Sequence, residues 1–165
     1  MRLYLMRHGK AEKKSPTGRD EDRPLQHRGQ RQSRWMGQTM AQADRSERPG
    51  LILTSPAVRA VQTANILVEL LGCEVRRDPR LSLGMPAEDV LELIREFQPV
   101  AVSGGSAMVL VGHNPQLEII LPTLVPGLSH EQSEMRTGEA ALLSVPESGA
   151  IEGRATLVRR MRSSD

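Results

Sequence analysis

Two features of this sequence predict an α/β fold, a three-layer sandwich with a mainly parallel central sheet and an antiparallel edge strand. Short apolar runs alternate with segments of helical period along most of the chain, the pattern of strand–helix units whose helices cover both faces of a sheet. The last two runs follow one another with only a turn between them, as strands at an antiparallel edge do. The 165 residues contain no internal repeat, low-complexity tract or interdomain linker, so 1–165 is read as a single domain.

Taken in order, Arg2 to Met6 is short and mostly apolar, a first strand. Lys10 to Pro24 is polar and rich in charge, a loop. Gln26 to Ala43 has a helical period, with Met36, Met40 and Ala43 on its apolar side. Pro49-Gly50 breaks the chain before a second strand, Leu51 to Thr54. Ala57 to Leu71 is the clearest helix: Ala57, Val61, Ala64, Val68 and Leu71 recur at three- and four-residue steps, and Gly72 stands where a helix ends. Glu74 to Arg76 is a short strand, and Ala87 to Phe97 a helix with Val90, Leu93, Ile94 and Phe97 on one side. Met108 to Val111 reads as a buried strand, followed by a helix from Pro115 to about Leu124. Ala140 to Val145 and Ala155 to Arg159 close the chain as strands, with a hairpin-like turn at Glu147-Ser148-Gly149. Ser103-Gly104-Gly105-Ser106 looks like a phosphate-binding loop, but it precedes a strand instead of linking strand to helix, and is read as a turn.

Composition excludes several function classes. The formal net charge of +2 suits an anionic substrate, yet the arginines are scattered, and a nucleic-acid surface needs a concentrated basic stripe. Aromatic residues are 2% of the chain, too few for base-stacking platforms. No stretch approaches the roughly 20 apolar residues that span a bilayer. Arg7 interrupts the N-terminus before a signal-peptide core forms, so the cytoplasm is the expected location. The single cysteine, Cys73, cannot form an internal disulfide and is expected to pack as a small apolar residue. A monomer is the default expectation.

Chemistry concentrates just past three strand ends. Arg7 supplies a planar fork of donors for phosphate oxygens, His8 a nitrogen able to attack phosphorus, and Gly9 a sharp turn with room for a ligand. In Thr54-Ser55-Pro56, Ser55 is expected to cap the following helix and Pro56 to open it, which sets Arg59 near the first turn in a prepared anion site. Gly112-His113-Asn114-Pro115 repeats the cap-plus-proline logic and leaves His113 at the switch from strand to helix. Each residue alone has a structural reading: Arg-His-Gly is a weak motif, a histidine after a strand is often just hydrogen-bonded, and a lone helix arginine is usually solvated. Together, outside the carboxyl ends of parallel strands where ligands bind, they supply two guanidinium groups and two imidazoles to one pocket, a fit for a phosphoryl group. His27 and His130 lie in polar, loop-like segments, and no His/Cys/carboxylate cluster has ligand spacing, so no metal site and no cofactor are expected. Asp20, Glu21 and Asp22, flanked by Arg19 and Arg23, read as a solvated loop.

These residues resemble the histidine phosphatase superfamily, the phosphoglycerate-mutase-like family. The first strand with Arg7-His8-Gly9 matches its signature. Leu25-Gln26-His27-Arg28-Gly29 with Gln32 is similar to its Leu-Thr-x-x-Gly-x-x-Gln pattern, with Gln26 in place of the threonine. Thr54-Ser55-Pro56 with Arg59, Gln62 and Thr63 matches the next block, and Gly112-His113 the last. The short chain looks most like the SixA-type phosphohistidine phosphatases. The resemblance implies a metal-independent phosphatase in which His8 is the nucleophile and Arg7, Arg59 and His113 bind the phosphoryl group; Gly9, Ser55 and, at the rim, Arg23 are further substrate-binding candidates. The expected substrate is a phosphorylated protein, phosphohistidine in signalling, with small phosphate esters as the alternative and a phosphoprotein-binding module of little turnover as a second. One departure bears on this choice. Many members carry a glutamate in a Leu-x-Glu context after the third strand, whereas Arg80-Leu81-Ser82-Leu83-Gly84 holds no acid here. The imidazole of phosphohistidine can be protonated before it leaves, so it depends less on a positioned acid than an alkoxide does. Whether Glu88 or Asp89 supplies the acid is left open at this level.

Overall fold

A computed structural model describes residues 1–98 and 107–165. The glycine-rich stretch Ser103–Ser106 lies outside the described residues. Six strands form one sheet: β1 (Arg2–Arg7), β2 (Pro49–Thr54), β3 (Glu74–Arg77), β4 (Ala107–Gly112), β5 (Ala140–Ser144) and β6 (Thr156–Met161), in the order β3-β2-β4-β1-β5-β6. The pairs β1–β4, β2–β4 and β2–β3 are parallel, while β5 runs antiparallel to β1 and β6 antiparallel to β5. The mainly parallel sheet with an antiparallel edge is therefore what the chain forms.

Alternation along the strands divides the core. Leu3 and Leu5 of β1, Leu51 and Leu53 of β2 and Met108 and Leu110 of β4 face helices α3 (Ala87–Phe97) and α4 (Gln116–Leu124). Tyr4, Met6, Ile52, Val109 and Val111 point the other way, toward α1 (His27–Ala41) and α2 (Val58–Leu71). Strands covered on both faces read as continuous apolar runs, which is why β4 is buried at all six positions.

Several boundaries differ from the sequence reading. Pro49 and Gly50 do not break the chain: both lie in β2, where the register against β4 shifts between Pro49 and Leu51, and the first, irregular position of a strand tolerates a proline. Helix α1 ends at Ala41, so Ala43 falls beyond it. In α2 the buried stripe is Arg59, Ala60, Thr63, Ala64 and Leu67, one position away from the face read from Val61, Val68 and Leu71. The small alanines let α2 approach the sheet, and the larger residues pack at its margin. Gly72 closes α2 in the left-handed conformation, φ 64°. A four-residue helix α5 (His130–Ser133), opened by a capping box between Ser129 and Gln132, and a short 3-10 helix (Asp20–Asp22) interrupt two segments expected as loops. His27 and His130 both open helices, and His130 is exposed. No helix among the described residues is long and apolar enough to cross a membrane.

Candidate active site

Strands β2, β4 and β1 lie side by side, and the first residues past their carboxyl ends are Ser55, His113 and His8. Backbone bonds keep these ends in register beyond the strands: His8 N–H donates to the Gly112 carbonyl at 3.2 Å, and Ser55 N–H to Val111 at 2.9 Å. The structure thus brings His8, Arg59 and His113 into mutual contact, with the two imidazole centroids 5.0 Å apart.

The hydrogen bonds fix which ring nitrogens carry protons. His8 Nδ1 lies 2.7 Å from the Gly9 carbonyl, an acceptor only, so Nδ1–H donates and the lone pair sits on Nε2. Arg59 Nε–H donates to that Nε2 at 3.2 Å. On His113 the arrangement is reversed. Arg59 Nη2 approaches Nδ1 at 3.5 Å, which leaves Nε2–H to donate to Ser55 Oγ at 2.8 Å. Burial pushes the His8 imidazole down to about 3, with the neighbouring His113, Arg59 and Arg7 adding to it against the bond to Gly9. Burial, reinforced chiefly by Arg59, pushes His113 down to about 4. Both rings are therefore neutral at neutral pH with the protein's own groups around them.

Arg59 is 2% exposed, a burial an arginine tolerates only with partners. Sequence reasoning missed the main one. Asp20 accepts from Arg59 through both its backbone carbonyl (Nη1, 2.8 Å) and its carboxylate (Nη2, 3.0 Å), so this residue of the exposed acidic run reaches from solvent to the buried guanidinium. Burial pushes the Asp20 carboxyl up, yet Arg59 and Arg23 together hold it below its ordinary range. Arg23 pairs with Asp20 at 2.8 Å and reaches the Glu12 carbonyl. The signal available was an acid run three residues before an arginine in a loop facing the strand ends, which has no distinctive spacing.

Two capping expectations fail. The N-cap of α2 is Ala57, not Ser55; the Ser55 hydroxyl instead accepts from Ala57 N–H and from His113. The N-cap of α4 is Pro115, and Asn114 turns its amide to Glu118 and to the Met135 carbonyl. Gly9 has a packing role that the sequence did not reveal. A Cβ there would lie 2.5 Å from the Gly29 carbonyl oxygen, so the glycine also serves the close approach of α1. Thr63 and Gln32 accept from Gly9 N–H and Lys10 N–H, and Gln62 from Leu25 N–H, so these three side chains brace the segments around His8.

The cavity at the strand ends, about 190 Å³, is lined by Arg7, His8, Lys10, Ala11, Arg23, Arg59, Leu83, His113, Asn114 and Thr137. Arg7 donates through Nη1 to the Met135 carbonyl, while its buried Nε has no protein partner. No carboxylate is among these lining residues; Asp20, Glu21 and Asp22 line an adjoining cavity of about 290 Å³ that shares Arg59 and Leu83. Glu88 pairs with Arg95 on α3 and lines none of the described cavities, and Leu83, in the stretch without an acid, forms part of the wall. Among the described residues no group of three His, Cys, Asp or Glu stands where it could share a metal ion.

Residues 3–82 match the model of the family described as the histidine phosphatase superfamily, branch 1. An uncharacterized protein of Picosynechococcus is 33% identical over 122 residues, 71% of this chain and 68% of that protein. A protein of Serratia proteamaculans assigned as a probable phosphoglycerate mutase is 34% identical over 83 residues, which are 49% of this chain and only 37% of the mutase. Among solved structures, one assigned to SixA from Agrobacterium tumefaciens superposes with a TM-score of 0.77 at 27% identity, covering 97% of both chains. The protein histidine phosphatase SixA complexed with tungstate shares the fold at a TM-score of 0.80 and 23% identity, over 98% of this chain and 97% of that one.

Proposed function

The chain belongs to the histidine phosphatase superfamily, and on that premise we propose that it removes phosphoryl groups from phosphohistidine in signalling proteins through a covalent phospho-His8 intermediate. The observation that carries this reading is the bond from His8 Nδ1–H to Gly9, which sets a lone pair on Nε2, inside a cavity of donors and kept free of protons by burial. In the first step Nε2 attacks phosphorus in line and the N–P bond of the substrate breaks; its electron pair stays on the departing ring, which is already protonated on the far nitrogen and leaves as neutral imidazole. Arg7, Arg59 and His113 hold the equatorial oxygens. His113 reaches them through Nδ1, so it takes up a proton there as the phosphoryl charge arrives, while Ser55 holds the opposite nitrogen. Water then attacks phosphorus, the bond to Nε2 breaks, and phosphate leaves. Ser55 thus acts as an orienting partner of His113, and Arg23 acts at the rim through Asp20. No metal enters either step.

The wall of the cavity favours phosphohistidine over esters as substrate: Leu83 stands where an acid is missing, and an alkoxide leaving group needs one. The test compares phosphate release from a phosphohistidine-bearing protein with release from sugar phosphates and nucleotides, with chelator present throughout. Fast release from the protein and weak ester turnover are expected; the reverse would move the substrate to small esters, and binding without release would make the chain a phosphoprotein-binding module.

A further inference from the structure

The mouth of the cavity is built asymmetrically. Five large apolar side chains are exposed among the described residues: Trp35, Leu83, Met85, Ile119 and Val158. Scattered ones need no explanation, but Leu83 (50% exposed), Met85 (39%) and Ile119 (51%) border a single groove of about 180 Å³. That groove shares Leu83, His113 and Asn114 with the active-site cavity. A second depression, about 370 Å³, meets the cavity through a different wall, Arg23, and is lined by Lys13, Lys14, Ser15, Gly18, Arg19, Asp20 and Arg23. Its arginines are already paired with Asp20, Glu21 and Asp22, whereas Lys13 and Lys14 are exposed and carry no ion pair among the described residues.

We propose that this mouth is a docking surface for a folded phosphohistidine protein, whose surface is apolar on one flank of the phosphohistidine and acidic on another. The proposal rests on the phosphohistidine reading given above and deepens it. The active-site cavity, about 190 Å³, shares Arg59 and Leu83 with a neighbouring one of about 290 Å³ and Leu83, His113 and Asn114 with the apolar groove, so a substrate larger than a phosphorylated ring extends over the rim into its neighbours. A small ester gains nothing from an apolar shelf; a protein flank gains area there, and binding energy collected at such a distance positions the phosphoryl group. Unpaired lysines beside the mouth speed the encounter with an acidic flank. The remaining occupants, a second copy of this chain or a lipid surface, present no exposed phosphohistidine to the cavity: the His8 of a second copy is buried, and lipid headgroups carry phosphate esters.

The experiment uses the intact chain and two probes: a histidine phosphotransfer domain phosphorylated with phosphoramidate, and free phosphohistidine. Met85→Glu and Ile119→Glu are expected to raise KM for the phosphorylated domain by about tenfold or more and to leave turnover of free phosphohistidine unchanged. Lys13→Glu with Lys14→Glu lowers kcat/KM for the domain and flattens its salt dependence, again without touching the free probe. Ile119→Ala repeats the apolar test with a change that an exposed site accepts, should either glutamate disturb folding. Equal effects on both probes, or none on either, overturn the docking surface while leaving the phosphohistidine reading intact. Ester turnover by the unmodified chain with neither probe accepted overturns both.

Discussion

The two imidazoles of the site are held in opposite tautomers, His8 with its proton on Nδ1 and His113 with its proton on Nε2. Nitrogen-detected NMR of the labelled protein is expected to show both rings neutral at pH 7, in those two forms, with midpoints well below the ordinary 6.5. A His8 ring that titrates near 6.5 would show that burial does not control it. Arg59 links the rings to Asp20, so variants of these two residues separate their roles. Arg59→Ala removes a donor proposed to hold the phosphoryl group and is expected to lower kcat on the order of 10²–10³-fold. Asp20→Asn keeps the shape and the backbone contact but drops the charge; a smaller loss than Arg59→Ala, read in the same assay, marks Asp20 as a positioning residue. Asp20 was illegible in the sequence because its partner lies 39 residues away, across a loop whose path only the fold sets.

At the level of elements, strand–helix alternation and the three strand ends were legible, because apolar runs and helical periods report burial directly. The ends of the elements were not, and each failure has a local cause. Ser55 looked like a cap, but its hydroxyl is engaged by His113, so α2 begins later, at Val58 after an N-cap at Ala57. Asn114 looked like another, but Glu118 and Met135 claim its amide. At Gly9 and Gly29 the backbones of the β1 exit and α1 touch, a contact between segments far apart in sequence that no local pattern shows. Gly9→Ala is therefore expected to destabilise by about 3 kcal/mol, the upper end of overpacking costs, since the clashing atom is backbone. Gly72→Ala, with open space around it and only its left-handed φ at stake, costs about 1 kcal/mol. Urea denaturation of both variants checks this order, and a Gly9 variant as stable as the parent would contradict the contact.

For the whole molecule, the buried neutral imidazoles tie stability to pH. Between pH 6.5 and about 4 the unfolded chain binds protons at His8 and His113 that the folded one refuses, so stability rises with pH across that window and falls on acidification. Each ring contributes at most about 1.4 kcal/mol per pH unit. The His8→Gln, His113→Gln double variant is expected to lose most of that acid slope in denaturation curves taken from pH 7 to 4; an unchanged slope would assign it elsewhere. The sheet order was not readable, since nothing local says that β4 inserts between β1 and β2, yet that insertion is what sets His113 beside His8. The proposed covalent step depends on the same placement, and a rapid-quench experiment tests it most directly. The chain is mixed with a protein carrying radiolabelled phosphohistidine, quenched in alkali within milliseconds, and the label is located. Transient, acid-labile label on His8, absent from His8→Ala, is the expected result. Label in His8→Ala at the parent's level, or phosphate release by the parent with no labelled intermediate at any time, would contradict nucleophilic attack by His8.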